Sequence, residues 1–211
     1  MRVWFSPDGN VRTSKTTDSS GSGHKNLIYS ISHSPNGNLF ASTSEDKTIK
    51  IWGIDGTLIT TIQNNNPILE VQFSPDNKML ASAGKDQTVR LWNLEGNLLK
   101  IFRGHNAQVN SVAFSPNGTL LASGSLDKSV KLWTLDGTLL ETFPSKNEVN
   151  QVGFSHDGKI LVTATNDEVT LWNFDLDDLV IKSCNYIGNY LITNNSLNQE
   201  DKHLCDHVNK S

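Results

Sequence analysis

Several things are scarce in this chain of 211 residues, and each shortage excludes a class of protein. Cysteine occurs twice, at Cys184 and Cys205, both beyond the patterned body of the chain. No disulfide framework therefore holds that body together, which suits a reducing compartment and predicts a cytoplasmic protein. Basic charge is in deficit, with 18 Lys and Arg against 22 Asp and Glu and a net charge of -4. Non-specific nucleic-acid binding, which works by releasing counterions to a basic surface, is thereby excluded. No apolar run approaches the length that spans a membrane. The opening "MRVWFSPDGN" has no basic stretch followed by an apolar core, so it does not read as a secretory signal. There is also no Gly-rich phosphate loop with Lys followed by Ser or Thr; "GSGHKN" at Gly21 is only a superficial likeness. Nothing in the chain calls for a cofactor or a metal.

What the chain does have is repetition. The strings "NGNLFASTSEDKTIKIW", "DNKMLASAGKDQTVRLW", "NGTLLASGSLDKSVKLW" and "DGKILVTATNDEVTLW" are copies of one another and end at Trp52, Trp92, Trp133 and Trp172, at intervals of 40, 41 and 39 residues. A fixed period of this size is the mark of stacked structural repeats. Within a copy, period-two segments alternate with turn chemistry, as in "QVNSVAF", "TLLASGS", "SVKLW" and "TLLETF" of the third. Turns of the type Ser-Pro-Asn-Gly separate the first two segments, and Asp55-Gly56, Glu95-Gly96 and Asp136-Gly137 separate the last two. Each copy thus reads as a four-stranded antiparallel meander. So small a sheet cannot bury both faces alone, and neighbours must stack on it.

From about Gly23 to Trp172 the pattern resembles the WD-repeat β-propeller family. The resemblance implies a buried tetrad in each copy: His before the first strand, Ser or Thr on the second, Asp in the next turn and Trp on the third. The first copy supplies His24, Ser42, Asp46 and Trp52, and the third His105, Ser123, Asp127 and Trp133. The second has Ser82, Asp86 and Trp92 with Asn64 at the His position; the fourth has Thr163, Asp167 and Trp172 with Ser145 there and one residue fewer between Asp and Trp. Buried indole, hydroxyl and imidazole each need a partner, and the Asp completes the relay. Copies two and four are accordingly expected to be looser than one and three. No Trp is followed by the Asp that gives the family its name, since Gly53, Asn93, Thr134 and Asn173 stand there.

The ends are less regular. "MRVW" resembles a third strand and "GNVRTSKT" the fourth that follows it; alternatively "FSPDGN" marks a decayed turn between first and second strands. We favour the former, with Thr16 to Ser22 as a polar loop. After Trp172 the fourth strand is missing and "FDLDDLVIKSCNYIGNYLITNN" has helical periodicity, with acidic residues at its start. This tail is similar to the one ending many large bacterial multi-repeat proteins, some of which carry a signalling NTPase or kinase ahead of their repeats. The expected organisation is all-β: 1–22 a partial blade and polar loop, 23–173 four WD repeats, 174–211 a C-terminal helical tail. Four blades and a fragment must close a small ring, with "NVRTSKT" pairing to the last blade, stay an open arc, or complete a ring with another chain. An incomplete arc is the favoured reading, which makes self-association possible.

For chemistry, His105, Ser123 and Asp127 contain the residue types of a hydrolytic triad, but the set recurs at the repeat period and is assigned to structure. His203, Cys205 and His207 form an H-x-C-x-H string without an evident fourth ligand, and no metal is assigned to it. Phe73, Phe114 and Phe154, with His33 in the equivalent place, read as core. The functional expectation is a non-enzymatic protein-interaction scaffold. Its candidate contacts, next to the turn Asp and before the first strand, are Glu45, Lys85, Leu126, Asn166, Asn106 and Lys146. The alternatives are a sensor portion detached from a signalling NTPase or kinase, or an inactive fragment of a longer array.

Overall fold

Alternating apolar side chains force more than half of the described residues into short strands, and turn residues decide where each one ends. A computed structural model describes residues 3–5, 11–13 and 23–174. Near the N-terminus β1 (Val3–Phe5) pairs antiparallel with β2 (Val11–Thr13). Three four-stranded meanders follow. Sheet I is β3 (Ile28–His33), β4 (Leu39–Ser44), β5 (Thr48–Gly53) and β6 (Leu58–Gln63). Sheet II is β7 (Ile68–Phe73), β8 (Met79–Gly84), β9 (Val89–Asn93) and β10 (Leu98–Phe102). Sheet III is β11 (Val109–Phe114), β12 (Leu120–Ser125), β13 (Ser129–Thr134) and β14 (Leu139–Pro144). Sheet IV has three strands, β15 (Gln151–Phe154), β16 (Ile160–Ala164) and β17 (Val169–Asn173). The helical tail expected from residue 174 onward, with its H-x-C-x-H string, falls almost wholly outside the described residues, as does the polar loop. Within the described residues β2 pairs with β1 and not with sheet IV, so the cis closure considered above is not made there.

Period-two alternation gives every sheet two apolar faces, and the sheets stack so that the leading face of one covers the trailing face of the next. Between sheets I and II, Ala41, Ile49, Ile51 and Ile62 pack on Ile68, Val71, Phe73, Leu80 and Trp92. Between II and III, Ala81, Ala83, Val89, Leu91 and Phe102 pack on Val109, Val112, Phe114, Leu121 and Trp133. Between III and IV, Ala113, Ala122, Val130 and Leu132 meet Val149, Val152 and Leu161, with Phe143 against Trp172. Phe73, Phe114 and Phe154 sit in these layers, Phe154 only partly buried. The core is thus three repeated interlayers with no single centre.

The first strands of neighbouring sheets lie side by side without a backbone ladder between them, and polar side chains bridge the gap. Ser32 Oγ accepts the Phe73 N–H at 3.3 Å, Glu70 Oε2 the Val112 N–H at 2.7 Å, Gln72 Oε1 the Phe114 N–H at 2.5 Å and Ser111 Oγ the Val152 N–H at 3.0 Å. Each bond satisfies a donor that would otherwise face a neighbouring sheet unpaired. Burial pushes the Glu70 carboxyl above its ordinary range, although Ser111 and the Val112 N–H favour its charged form.

One position on the leading face has little room. Thr43 in sheet I is replaced by Ala83 in sheet II and Gly124 in sheet III, where an added Cβ would lie 2.5 Å from Val149 Cγ1. Thr43 itself is fully buried, and its hydroxyl has no hydrogen-bond partner. Leaving a buried hydroxyl unpaired costs about 1–3 kcal/mol. Thr43→Val keeps the shape and removes that penalty, so its urea midpoint should exceed that of the unaltered chain, by a change worth about 1 kcal/mol. Thr43→Ser keeps the hydroxyl and loses the methyl, and its midpoint should fall.

Candidate functional site

The turn between the second and third strands is where the polar chemistry gathers. In sheets I to III the residue after the turn Asp adopts a left-handed backbone: Lys47 at φ 69°, Gln87 at 67° and Lys128 at 64°. Such a conformation is disfavoured outside glycine, and the Asp offsets it by capturing the next residue. Asp46 Oδ1 accepts both the Thr48 N–H at 3.0 Å and its hydroxyl at 2.6 Å, and Asp127 Oδ1 does the same with Ser129 at 3.0 and 2.6 Å. The second carboxylate oxygen is left to face inward.

In sheets I and III it meets a histidine. Trp52 Nε1 donates to Ser42 Oγ at 2.9 Å, Ser42 Oγ lies 2.7 Å from His24 Nε2, and His24 Nδ1 lies 3.0 Å from Asp46 Oδ2. In sheet III the distances are 2.9 Å from Trp133 to Ser123, 2.8 Å from Ser123 to His105 and 2.8 Å from His105 to Asp127. An indole can only donate, so the hydroxyl accepts from it and passes its own proton toward Nε2. The imidazole is then neutral, with its hydrogen on Nδ1 facing the carboxylate. Burial, the largest influence, lowers both histidines below their ordinary value against the opposing pull of Asp46 and Asp127. Burial also acts to raise Asp46, but hydrogen bonds from Thr48, the Lys25 N–H and His24 prevail and hold it at about 2.

Sheets II and IV solve the same problem differently. Trp92 Nε1 still donates to Ser82 Oγ at 2.9 Å, but Asn64 turns away and donates to the Asn66 carbonyl at 2.8 Å. Asp86 is taken instead by Arg90, with 2.7 Å between Nη1 and Oδ2. Arg90 holds the place of Lys50 and Lys131, whose ammonium groups bond Thr61 and Thr142 on the fourth strand at 3.2 and 3.0 Å. The expected looseness of copy two thus meets a compensating charge. In sheet IV, Trp172 donates to Thr163 Oγ1 at 3.2 Å, while the shortened turn leaves Asp167 exposed, where it accepts from Asn147 Nδ2 at 2.9 Å. Ser145 donates its backbone N–H to the Lys128 carbonyl at 2.8 Å.

The Ser-His-Asp geometry does not make a nucleophile. Ser42 and Ser123 are buried, and each is bonded to both an indole and an imidazole, so no substrate reaches the hydroxyl. Among the described residues no group of His, Cys, Asp and Glu is arranged to hold a metal, and no helix is long and apolar enough to cross a membrane.

The six candidate contacts lie at the same end of the sheets as these turns. The N–H groups of Glu45, Lys85 and Leu126 donate to the Leu27, Pro67 and Gln108 carbonyls, which places the three residues alike beside successive first strands. Glu45 and Lys85 form one ion pair across sheets I and II, at 2.9 Å, joined by the Tyr29 hydroxyl and with the ammonium 5.4 Å from that ring. Asn166 Oδ1 accepts from Asn150 at 2.7 Å, Asn106 gives its N–H to Asp127 at 2.9 Å, Leu126 is half-buried and Lys146 is exposed.

Comparison with known proteins follows this geometry closely. The family model described as WD domain, G-beta repeat matches residues 16–53, 56–93, 96–134 and 137–173, well over half of the chain. The chain belongs to the WD-repeat family. The second, third and fourth matched units are offset by one strand from the sheets: 56–93 takes β6 from sheet I and β7 to β9 from sheet II. One 39-residue segment is 49% identical to a probable cytosolic iron-sulfur protein assembly protein Ciao1 of Drosophila mojavensis, covering 18% of this chain and 12% of that protein. Another of 47 residues is 47% identical to a ribosome biogenesis protein BOP1 homolog of Drosophila virilis, covering 22% of this chain and 6% of that protein. The chain therefore matches only about an eighth or less of the length of these relatives.

Removing Arg90 should expose how much it replaces. Arg90→Met leaves a mostly buried Asp86 with the Thr88 N–H and hydroxyl but no cation, and chemical denaturation should show a loss of about 1.5–3 kcal/mol, the range for a hydrogen bond to a charged group. Lys50→Met, whose partner is a neutral hydroxyl, should cost less.

Acid should weaken the fold in two steps. His24 and His105 bind protons less readily folded than unfolded, so their contribution is complete above about pH 6.5 and is lost as pH falls toward their lower folded values. Asp46 contributes above its unfolded value near 3.8 and loses that contribution as pH falls toward about 2. Glu70, raised by burial, acts in the opposite sense, so the histidine step is best read in Glu70→Gln. In that background, urea midpoints measured from pH 7.5 to 5 should fall, and His105→Asn should flatten the slope.

Proposed function

We propose that this chain is a non-enzymatic scaffold that presents the loop end of its stacked sheets to a protein partner. WD repeats generally serve as protein-interaction scaffolds, and four of them account for most of this chain. The observation that carries the reading is the contrast between a repeated frame and unrepeated tips. Ser or Thr to Trp bonding recurs in every sheet, while the residue before the turn Asp changes from Glu45 to Lys85 to Leu126 to Asn166. Residues on a rigid frame that the frame itself does not need are the ones available for specificity.

The internal pairing of Glu45 with Lys85 narrows the proposal. Those two groups neutralise each other, so a partner gains little from either charge. The more informative surface lies over sheets III and IV, where Leu126, Asn106, Lys146 and Asn166 combine one apolar side chain, two amides and one cation. A surface of that composition suits a protein segment with an apolar anchor and an acidic neighbour. The two fly relatives match over a single repeat's length, so what their names say of iron-sulfur assembly or ribosome biogenesis is not carried to this chain.

Affinity capture with the full chain, run beside a Leu126→Asp, Lys146→Glu variant of equal thermal stability, tests this reading. Proteins retained by the unaltered chain and lost from the variant are the expected result. Identical retained sets would remove this surface from consideration.

A further inference from the structure

The leading face of sheet IV departs from its three counterparts in one respect. In sheets I to III, the two apolar residues of the third strand on that face are covered by the next sheet: Ile49 and Ile51 at 0% and 1% exposed, Val89 and Leu91 at 1% and 4%, Val130 and Leu132 at 0% and 7%. In sheet IV the same places hold Val169 and Leu171, exposed at 65% and 64%. Side chains of the same apolar type are retained where there is nothing in the described residues to bury them. The polar part of the joint is also present. Gln151 occupies the place of Glu70 and Ser111, the residues that accept a backbone N–H from the first strand of the following sheet; its Oε1 accepts the Ser111 hydroxyl at 3.3 Å and has a second lone pair for such a donor.

What fits such a face is defined by the molecule three times over. In every internal joint the occupant is the trailing face of another WD sheet, with an aliphatic residue on the first strand and Trp on the third. Sheet I carries that pattern as Ile31 and Trp52, which stand where Val112 and Trp133 stand in sheet III. Trp92 and Trp133 are buried by the sheet before them and Trp172 is partly buried by Phe143, whereas no described sheet precedes the partly exposed Trp52.

We propose that sheet IV of one chain docks on sheet I of a second copy, with Val169 and Leu171 against Ile31 and Trp52, and with Gln151 accepting the Ile31 N–H. The contact is head to tail, and two copies joined reciprocally close a ring instead of an open filament. Sheets I to IV of two copies make eight stacked layers, the upper end of the usual propeller range.

Native mass spectrometry and light scattering on the full 211-residue chain at micromolar concentration test this directly. The expected mass is twice 23.3 kDa. Leu171→Glu, at an exposed position, should leave the circular dichroism spectrum intact and yield the single-chain mass, as should Ile31→Glu on the opposite face. Mixing the two variants is the decisive arm. A head-to-tail pair regains one joint with both partners unaltered, so a heterodimer carrying one of each variant should form. A single-chain mass for the unaltered protein would mean that the chain's own terminal segments or a different partner cover the face, and would overturn the proposal. So would a dimer indifferent to Leu171→Glu, a ladder of larger assemblies, or failure of the mixed variants to pair. Should Ile31→Glu fail to fold, Gln151→Ala and Leu171→Glu must each still shift the monomer–dimer balance toward monomer, by at least about tenfold for the charge.

Discussion

The bond from the indole N–H to the hydroxyl on the neighbouring strand is the one polar contact of the tetrad found in all four sheets, at 2.9, 2.9, 2.9 and 3.2 Å. It fixes the edge of the ring, and the position of the ring's face follows. That face is what the preceding sheet packs on, through Ile62 to Trp92, Phe102 to Trp133 and Phe143 to Trp172. A single side chain thus couples strand pairing within one sheet to burial between two. Satisfying the indole internally is what allows so large a ring to enter an interlayer without stranding its donor.

Once the indole is placed, the remaining tetrad members are under a weaker constraint, which is only that the turn carboxylate be compensated. A neutral imidazole does this in sheets I and III, a guanidinium in sheet II, and solvent with Asn147 in sheet IV. These solutions differ in how they respond to protons. Imidazole ties the turn to near-neutral pH, whereas the Arg90 pair changes only when Asp86 itself is protonated. The turns of sheets I to III are alike in geometry, and that of sheet II differs from the other two in sensitivity.

Much of this was legible in the residues alone, and what was missed shares a physical cause. The Trp period, the Gly-bearing turns and the alternation around Ala41, Ala81 and Ala122 define strands and faces because they are local. Arg90 was missed, although copy two replaces His with Asn and Lys with Arg together, because its significance needs the side-chain reach across a turn. Glu45 and Lys85 were read as separate contacts because they are 40 residues apart in the chain, one full repeat, and only stacking makes them neighbours. Glu70 and Gln72 escaped attention for the same reason, as their acceptors' work is done in the next sheet. In the stretches 1–22 and 174–211 the periodicity fades, and with it the local signal that defines strands and faces elsewhere.

The one-strand offset between the matched units and the sheets bears on how such a chain can change over time. A unit that duplicates as 56–93 or 96–134 carries the outer strand of one sheet together with the inner three of the next. Gain or loss of a whole unit by recombination therefore replaces a clasp and never leaves two adjoining layers without a covalent and hydrogen-bonded tie. Length can vary in steps of one layer, provided each new junction matches its faces as closely as Gly124 matches Val149.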